Sequence, residues 1–153
     1  MNITGQNVNP IEILLIEDNP GDARLAEESF KESKLLLRIN HVEDGEQAMS
    51  YLLRHPPFEQ ATRPNLILLD LNLPKKDGRD VLSEIKSNET LKRIPVVVLT
   101  TSNANEDIDM AYDLHANCYI KKPLDFNQFM KVITNIEAFW FTVVQLPEDK
   151  CCE

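Results

Sequence analysis

Five short apolar runs alternate with five amphipathic segments along this chain, and no other feature limits the possible fold so strongly. The apolar runs are IEILLI, LLLRINHV, NLILLDL, PVVVLT and CYI. Runs rich in branched apolar residues are typical of parallel strands that helices cover on both faces. Regular alternation of strand and helix, joined by right-handed crossovers, gives a doubly wound sheet. The sequence therefore predicts an α/β fold with a five-stranded parallel sheet and five helices.

The length of 153 residues fits one domain with short polar ends. We expect a polar N-terminal tail over residues 1–10, the domain over residues 11–146 and a polar C-terminal tail over residues 147–153. The last helix follows Pro123, and Pro147 is the next helix breaker. This spacing predicts an extended last helix from Leu124 to about Val144.

The composition excludes several classes of function. The chain has 16 Lys and Arg residues against 25 Asp and Glu residues, a net charge of -9. Such a charge repels nucleic-acid phosphates and anionic lipid, so we expect no nucleic acid and no membrane as partners. No apolar stretch approaches the roughly 18 residues of a spanning helix and no signal peptide is evident, so we expect a cytoplasmic protein. The cysteines Cys118, Cys151 and Cys152 lack the spacing of a disulfide framework.

Carboxylates end two of the predicted strands. Glu17 and Asp18 follow the first run, and Asp70 ends the third. In a doubly wound sheet, ligands bind beyond the carboxyl ends of the strands, where the strand order reverses. If the strand order is 2-1-3-4-5, the first and third strands are neighbours and these three carboxylates share one crevice. Like charges raise one another's pKa values, so we expect a cation there, and the oxygen ligands favour Mg²⁺ over zinc.

The third strand supplies the best candidate for a nucleophile. Asp70 lies centrally in the predicted sheet, where its carboxylate could attack a phosphoryl group and form an aspartyl phosphate. A transferred phosphoryl group needs a cation and hydrogen-bond donors around its oxygens. The Thr100 hydroxyl is one candidate donor, and either Lys121 or Lys122 could be the cation. Any one polar residue at a strand end is ordinary, but the whole set is not.

Four segments, in this order, resemble the bacterial response-regulator receiver domain from about Ile11 to Ile136. They are IEILLIEDNPGD, LILLDLNLPKKDG, VVVLTTS and CYIKKP. The resemblance implies a flavodoxin-like sheet of order 2-1-3-4-5. It implies these roles: Glu17 and Asp18 as the acidic pair, Asp70 as the phosphoacceptor, Asn72 as a main-chain carbonyl ligand to the metal, Thr100 as the switch hydroxyl, Tyr119 as the switch aromatic, and Lys122, before Pro123, as the lysine.

Three further segments resemble a more specific group within this family. HPPFEQATRPN, DLHANCYIKKP and the FWF-containing last helix resemble the single-domain response regulators of cyanobacterial-type phytochromes, which implies a phytochrome histidine kinase as the donor. His115 departs from the broader receiver pattern, because many members have glycine where the fourth helix ends. A residue at that end often has a positive φ, which His tolerates far less easily than Gly.

The end of the last helix carries more apolar residues than a receiver has to bury. Phe139, Trp140, Phe141, Val143 and Val144 surround the helix and predict an exposed apolar patch unless a partner covers it. We expect a symmetric homodimer through the last helix and the adjoining strand face, with Phe139, Trp140 or Phe141 at the interface. The alternative is an overlong core helix whose aromatic residues pack within the chain.

The sequence thus predicts a regulatory phosphoacceptor rather than an enzyme. A histidine kinase would transfer a phosphoryl group to Asp70 with the help of Mg²⁺, the protein would assist its own phosphotransfer and dephosphorylation, and the signal would be changed protein binding. A Mg²⁺-dependent phosphohydrolase with Asp70 as nucleophile is the alternative, but such enzymes commonly need a second acid two residues on, where Asn72 stands. A receiver-shaped interaction module that is never phosphorylated is disfavoured, because all the chemical positions are filled.

Overall fold

A computed structural model of the chain describes residues 10–33, 35–123, 125–143 and 145–147. It confirms the doubly wound fold, with five parallel strands in the order β2-β1-β3-β4-β5. The strands are β1 (Ile11–Ile16), β2 (Leu37–Val42), β3 (Leu66–Leu69), β4 (Val96–Thr100) and β5 (Cys118–Lys121). The helices are α1 (Pro20–Lys31), α2 (Gly45–Leu52), α3 (Gly78–Ser87), α4 (Asn105–Asp113) and α5 (Phe126–Ala138). None of the helices in these ranges is long and apolar enough to cross a membrane.

Side-chain caps fix where most of the helices begin. In each capped helix a side-chain oxygen accepts a main-chain N–H of the first turn; the capping residues are Asn19, Asp44, Asp77 and Asp125. Helix α4 differs, because Ala104 occupies its N-cap position and provides no side-chain bond. Three of the caps follow strands β1, β2 and β3, so they help to order the loops at the carboxyl edge of the sheet.

The sheet separates two apolar layers. Along β1, Leu14 and Ile16 pack on the side of α2 and α3, whereas Ile13 and Leu15 pack on the side of α1 and α5. This alternation follows from the two-residue period of a strand. Every residue of β3 and β4 is buried. The central strands therefore form a rigid base from which the loops at their carboxyl ends project.

The end of the last helix differs from the prediction. Ordinary α-helical geometry stops at Ala138, and a π-helical turn spans Phe139–Val143. In this turn Trp140 is only 9% exposed and packs in the layer between the sheet and α1 and α5, whereas Phe139 is 53% exposed. The expected exposed patch is therefore wrong for Trp140, because the chain itself buries the indole; Phe141 is half-buried against the same layer.

Some predicted boundaries fall on parts of the chain that the structure does not describe. Leu124 and Val144, the predicted ends of the last helix, lie outside the described residues. Of the predicted tails, residues 1–9 and 148–153 also lie outside them. The two predicted tails accordingly stay predictions.

Candidate functional site

The carboxylates predicted to converge lie together at the carboxyl edge of the sheet. Ile16 of β1 is paired with Leu69 of β3, so the residues that follow them, Glu17 and Asp70, leave the sheet side by side. Ligand oxygens of Glu17, Asp18 and Asp70 all lie within 4.8 Å of one another. Glu17 and Asp70 are buried, and Asp18 is exposed. One side of this carboxylate cluster is therefore open to an approaching ligand.

A buried lysine crosses the cluster. The Lys122 ammonium donates to Glu17 Oε1 at 2.6 Å, to Asp22 Oδ2 at 2.9 Å and to Asp70 Oδ2 at 3.2 Å. Lys122 is 3% exposed, whereas Lys121 is exposed. Of the two lysines that composition could not separate, Lys122 is therefore the one that contacts the carboxylates. Asp22 was not singled out in the sequence, although its carboxylate accepts from Lys122 in this cluster.

Burial and charge act against each other within this cluster. Burial raises the pKa of Glu17; the hydrogen bond from Lys122 opposes the rise, and the charge of Asp70 adds to it. Burial alone would lower the pKa of Lys122, but the carboxylates of Glu17, Asp70 and Asp22 outweigh burial and hold that pKa above its ordinary value. Lys122 therefore stays charged at physiological pH, yet a single ammonium leaves the crevice with an excess of negative charge.

The donor set fits a divalent metal ion. Carboxylate oxygens are hard ligands that suit Mg²⁺ or Mn²⁺, and a divalent cation would neutralise the excess negative charge of Glu17, Asp18 and Asp70. Asn72 is exposed beside this cluster, and its main-chain N–H donates to Asp70 Oδ1 at 3.1 Å. That contact holds the loop after β3 against the carboxylate, which places the Asn72 peptide at the rim of the crevice.

A neighbouring hydroxyl has no hydrogen-bond partner among the residues that the structure describes. Thr100 ends β4, is fully buried, and its Oγ1 makes no hydrogen bond within the described residues. The main-chain N–H of Lys122 donates to the Thr100 carbonyl at 2.6 Å, so the hydroxyl belongs to a residue held directly beside Lys122. A buried hydroxyl without a partner costs about 1–3 kcal/mol, so its presence calls for an explanation, such as an acceptor that arrives with a ligand.

Tyr119, the predicted switch aromatic, is bound to the loop that follows Thr100. Its hydroxyl donates to the Ser102 carbonyl at 2.8 Å, and its ring is half-buried against the core. Burial raises the pKa of Tyr119. The Tyr119 hydroxyl therefore links β5 to the β4–α4 loop through one hydrogen bond, which breaks if the side chain moves.

Gly78 was not singled out in the sequence, although it shapes the site. A Cβ atom at Gly78 would collide with the main-chain oxygen of Asp70 and with the backbone of Leu71. The Gly78 N–H donates to the Leu71 carbonyl at 3.0 Å. Glycine here allows the start of α3 to lie directly against the loop that carries Asp70.

Comparisons with known proteins agree with this geometry. The family model described as response regulator receiver domain matches residues 13–134. The response regulator Rcp1 of Synechocystis sp. is 50% identical over 138 residues, which cover 90% of this chain and 94% of that protein.

Two solved structures are similar to the whole fold. One is the phosphorylated cyanobacterial phytochrome response regulator RcpA, with a TM-score of 0.89, 50% identity, and coverage of 92% of this chain and 100% of that chain. The other is the Mn²⁺-bound form of Rcp1, with a TM-score of 0.88, 50% identity, and coverage of 91% of this chain and 100% of that chain.

Proposed function

This chain belongs to the response regulator receiver domain family, and we propose that it accepts a phosphoryl group from a histidine kinase onto Asp70. The observation that carries the proposal is the position of the Asp70 carboxylate, which lies within one acidic cluster and 3.2 Å from the buried Lys122 ammonium. A similar chain is a phytochrome response regulator. The donor in our proposal is accordingly a phytochrome histidine kinase, and the reaction takes place in the cytoplasm.

In the transfer step an Asp70 oxygen attacks phosphorus while the bond from phosphorus to the histidine nitrogen of the kinase breaks. Bound Mg²⁺, held by Glu17, Asp18, Asp70 and the Asn72 carbonyl, would supply positive charge to neutralise the developing charge on the phosphoryl oxygens. Lys122, whose ammonium lies 3.2 Å from Asp70 Oδ2, donates to a phosphoryl oxygen. Its ammonium is already in place, so it needs little reorganisation.

The signal in this proposal arises from the hydroxyl of Thr100. A phosphoryl group on Asp70 supplies the acceptor that the Thr100 Oγ1 lacks. Movement of Thr100 toward that group frees space, and Tyr119 exchanges its bond to Ser102 for an inward position. The surface formed by α4 and β5 then changes, which alters protein binding.

The rival enzymatic function is not favoured. A phosphohydrolase that uses Asp70 as nucleophile would commonly need an acid two residues later, and that position holds Asn72. The site is better suited to hold a phosphoryl group than to turn over substrates.

We further propose a homodimer through the face formed by α5 and β5. Phe139 is exposed there, and an apolar cavity of about 300 Å³ lies between β5 and α5, lined by Ile120, Val132 and Phe139 among others. A symmetric contact is the commonest way to cover such a surface. Trp140 also lines that cavity, but its side chain is buried and adds little exposed surface to the contact.

The proposed function is tested by the stoichiometry of transfer from a purified phytochrome histidine kinase charged with labelled ATP. We expect about one phosphoryl group per chain and no sustained release of phosphate from small phosphate esters. Asp70→Asn should remain unlabelled, because the amide keeps the shape but is not a nucleophile. Asp44→Asn is the matched control, since it changes another buried aspartate and asparagine caps a helix equally well. Undiminished labelling of Asp70→Asn would refute the proposal.

A further inference from the structure

Asp22 is an acidic residue at the site whose contribution the family pattern does not define. It lies in the first turn of α1, and its carboxylate Oδ2 lies 2.9 Å from Lys122 Nζ. The main-chain N–H of Asp22 is held by Asn19 Oδ1 at 3.0 Å. The helix cap therefore fixes the point from which the Asp22 side chain reaches the lysine.

The lysine has as many donors as it has carboxylate partners. An ammonium carries three N–H groups, and Glu17, Asp22 and Asp70 accept from Lys122 in this structure. A phosphoryl group on Asp70 adds acceptor oxygens that need one of these donors. One existing bond to Lys122 must then weaken or break.

Of the two partners that stay unmodified, Glu17 and Asp22, the bond to Asp22 is the easier to give up. The Asp22 side chain is 28% exposed, whereas those of Glu17 and Asp70 are 5% and 8% exposed. Water can therefore solvate the Asp22 carboxylate once the lysine has left it, but can hardly reach the Glu17 carboxylate. The bond from Lys122 to Glu17 is also the shortest, at 2.6 Å.

We propose that Asp22 is a positioning residue that holds Lys122 in the unphosphorylated protein and competes with the phosphoryl group for its ammonium. This inference rests on the proposed function. Because Asp22 accepts a donor that the phosphoryl group also needs, Asp22 favours the unphosphorylated state.

The test is a titration with beryllium trifluoride, a phosphoryl mimic, at saturating Mg²⁺. Asp22→Asn should bind the mimic more tightly, by about 5-fold, the effect of one unit charge at about 4 Å under water-like screening. Asp22→Glu keeps the charge and should stay closer to the wild type. Glu28→Gln removes an exposed acid from the same helix and should leave the affinity unchanged. Unchanged or weaker binding by Asp22→Asn, or equal tightening by Asp22→Glu, would overturn the proposal.

A double-mutant cycle shows whether Asp22 acts through Lys122. In a Lys122→Gln background the Asp22→Asn change should have less than about 2-fold effect, because the competing ammonium is gone. The same tightening in both backgrounds would mean simple charge repulsion and would also overturn the proposal. If Lys122→Gln does not fold, as judged by its circular dichroism and melting curve, the single variants alone decide. A wild type that binds no mimic at all would refute the proposed function, and this inference with it.

Discussion

His115 adopts a φ of 71°, in the left-handed region that glycine occupies without strain. Its main-chain N–H donates to the Tyr112 carbonyl at 2.9 Å, which closes the turn after α4. The sequence singled out this position because receivers often have glycine there. Arg54 and Lys75 also have positive φ values, of 58° and 67°, and the sequence did not indicate either of them. Neither arginine nor lysine signals a positive φ in a sequence, as glycine or asparagine does.

Replacing His115 with glycine should stabilise the protein by about 0.5–1 kcal/mol, because the relieved left-handed strain exceeds the added entropy of the unfolded chain. The measurement is the free energy of unfolding in urea. Asp113→Gly is the control, because Asp113 lies in the last turn of α4, where glycine relieves no left-handed strain and should change the stability by no more than about 0.5 kcal/mol. Destabilisation by both variants would contradict the strain at His115.

The site also shows how far single residues can be identified from sequence. Strand ends and residue types indicated Asp70 and Thr100, because buried strands have well-defined limits. The contact of Asp22 with Lys122 could not be predicted in the same way. The two residues are 100 positions apart, and their contact depends on where α1 lies beside β5.

Among the elements, α4 is the least firmly packed helix of the described structure. Of its residues only Ala111 is buried, and no side chain caps its N-terminus. Arg79 of α3 compensates, because its guanidinium donates to Asp107 Oδ1 at 2.8 Å. Ser102 also donates to Asp107, and the Ser102 bond and then the Arg79 contact lower the pKa of that carboxyl. The loop after β4, which also accepts from Tyr119, is therefore joined to α3 through α4.

Arg79→Ala should loosen α4 without unfolding the protein. Amide hydrogen exchange within α4 should accelerate by up to about 5-fold, since partly exposed ion pairs contribute up to about 1 kcal/mol. Lys31→Ala removes an exposed pair on α1 and should leave exchange in α4 unchanged. Equal exchange rates in wild type and Arg79→Ala would show that the ion pair does not hold the helix.

The end of α5 shows why helix limits are harder to predict than helix existence. Strand β1 was predicted over IEILLI and is observed at Ile11–Ile16, because a buried strand ends where charge begins. The last helix was predicted to continue beyond Ala138, but a π-helical turn follows instead. Apolar periodicity does not separate these two geometries when aromatic residues occupy consecutive positions.

Trp140 and Phe139 should respond very differently to truncation. Trp140→Ala should lower the free energy of unfolding by about 3–5 kcal/mol, because it empties a buried site. Phe139→Ala should cost less than about 1 kcal/mol, because the ring is half exposed. Urea denaturation of a dilute sample gives both values. Similar losses in the two variants would contradict a π-helical turn in which Trp140 is buried and Phe139 is exposed.

At the scale of the whole molecule, the order of strands brings the acidic side chains together at the carboxyl edge of the sheet. It also leaves an apolar surface between β5 and α5. The strand order could be predicted from the family resemblance, and it explains why Glu17 and Asp70 meet. The extent of that surface could not be predicted in the same detail, because the sequence does not reveal which of Phe139, Trp140 and Phe141 the chain's own core buries. In the structure Trp140 is buried and Phe139 is 53% exposed.

Phe139→Asp should dissociate the proposed dimer. At matched micromolar concentration we expect the wild type to sediment as a dimer and this variant as a monomer, because the contact would bury a charge. Phe126→Asp is the matched control: Phe126 is 54% exposed at the opposite end of the same helix. Dissociation by Phe126→Asp alone would place the interface elsewhere, and a monomeric wild type would disprove the dimer.

The central claim is that Asp70 itself carries the phosphoryl group. The most direct measurement is to phosphorylate the protein from a histidine kinase, reduce the acyl phosphate with borohydride, and locate the reduced residue by mass spectrometry. We predict that the modified peptide contains Asp70 and that the modification lies on that residue. Modification of Glu17, of Asp18 or of a residue outside the acidic cluster would contradict the claim.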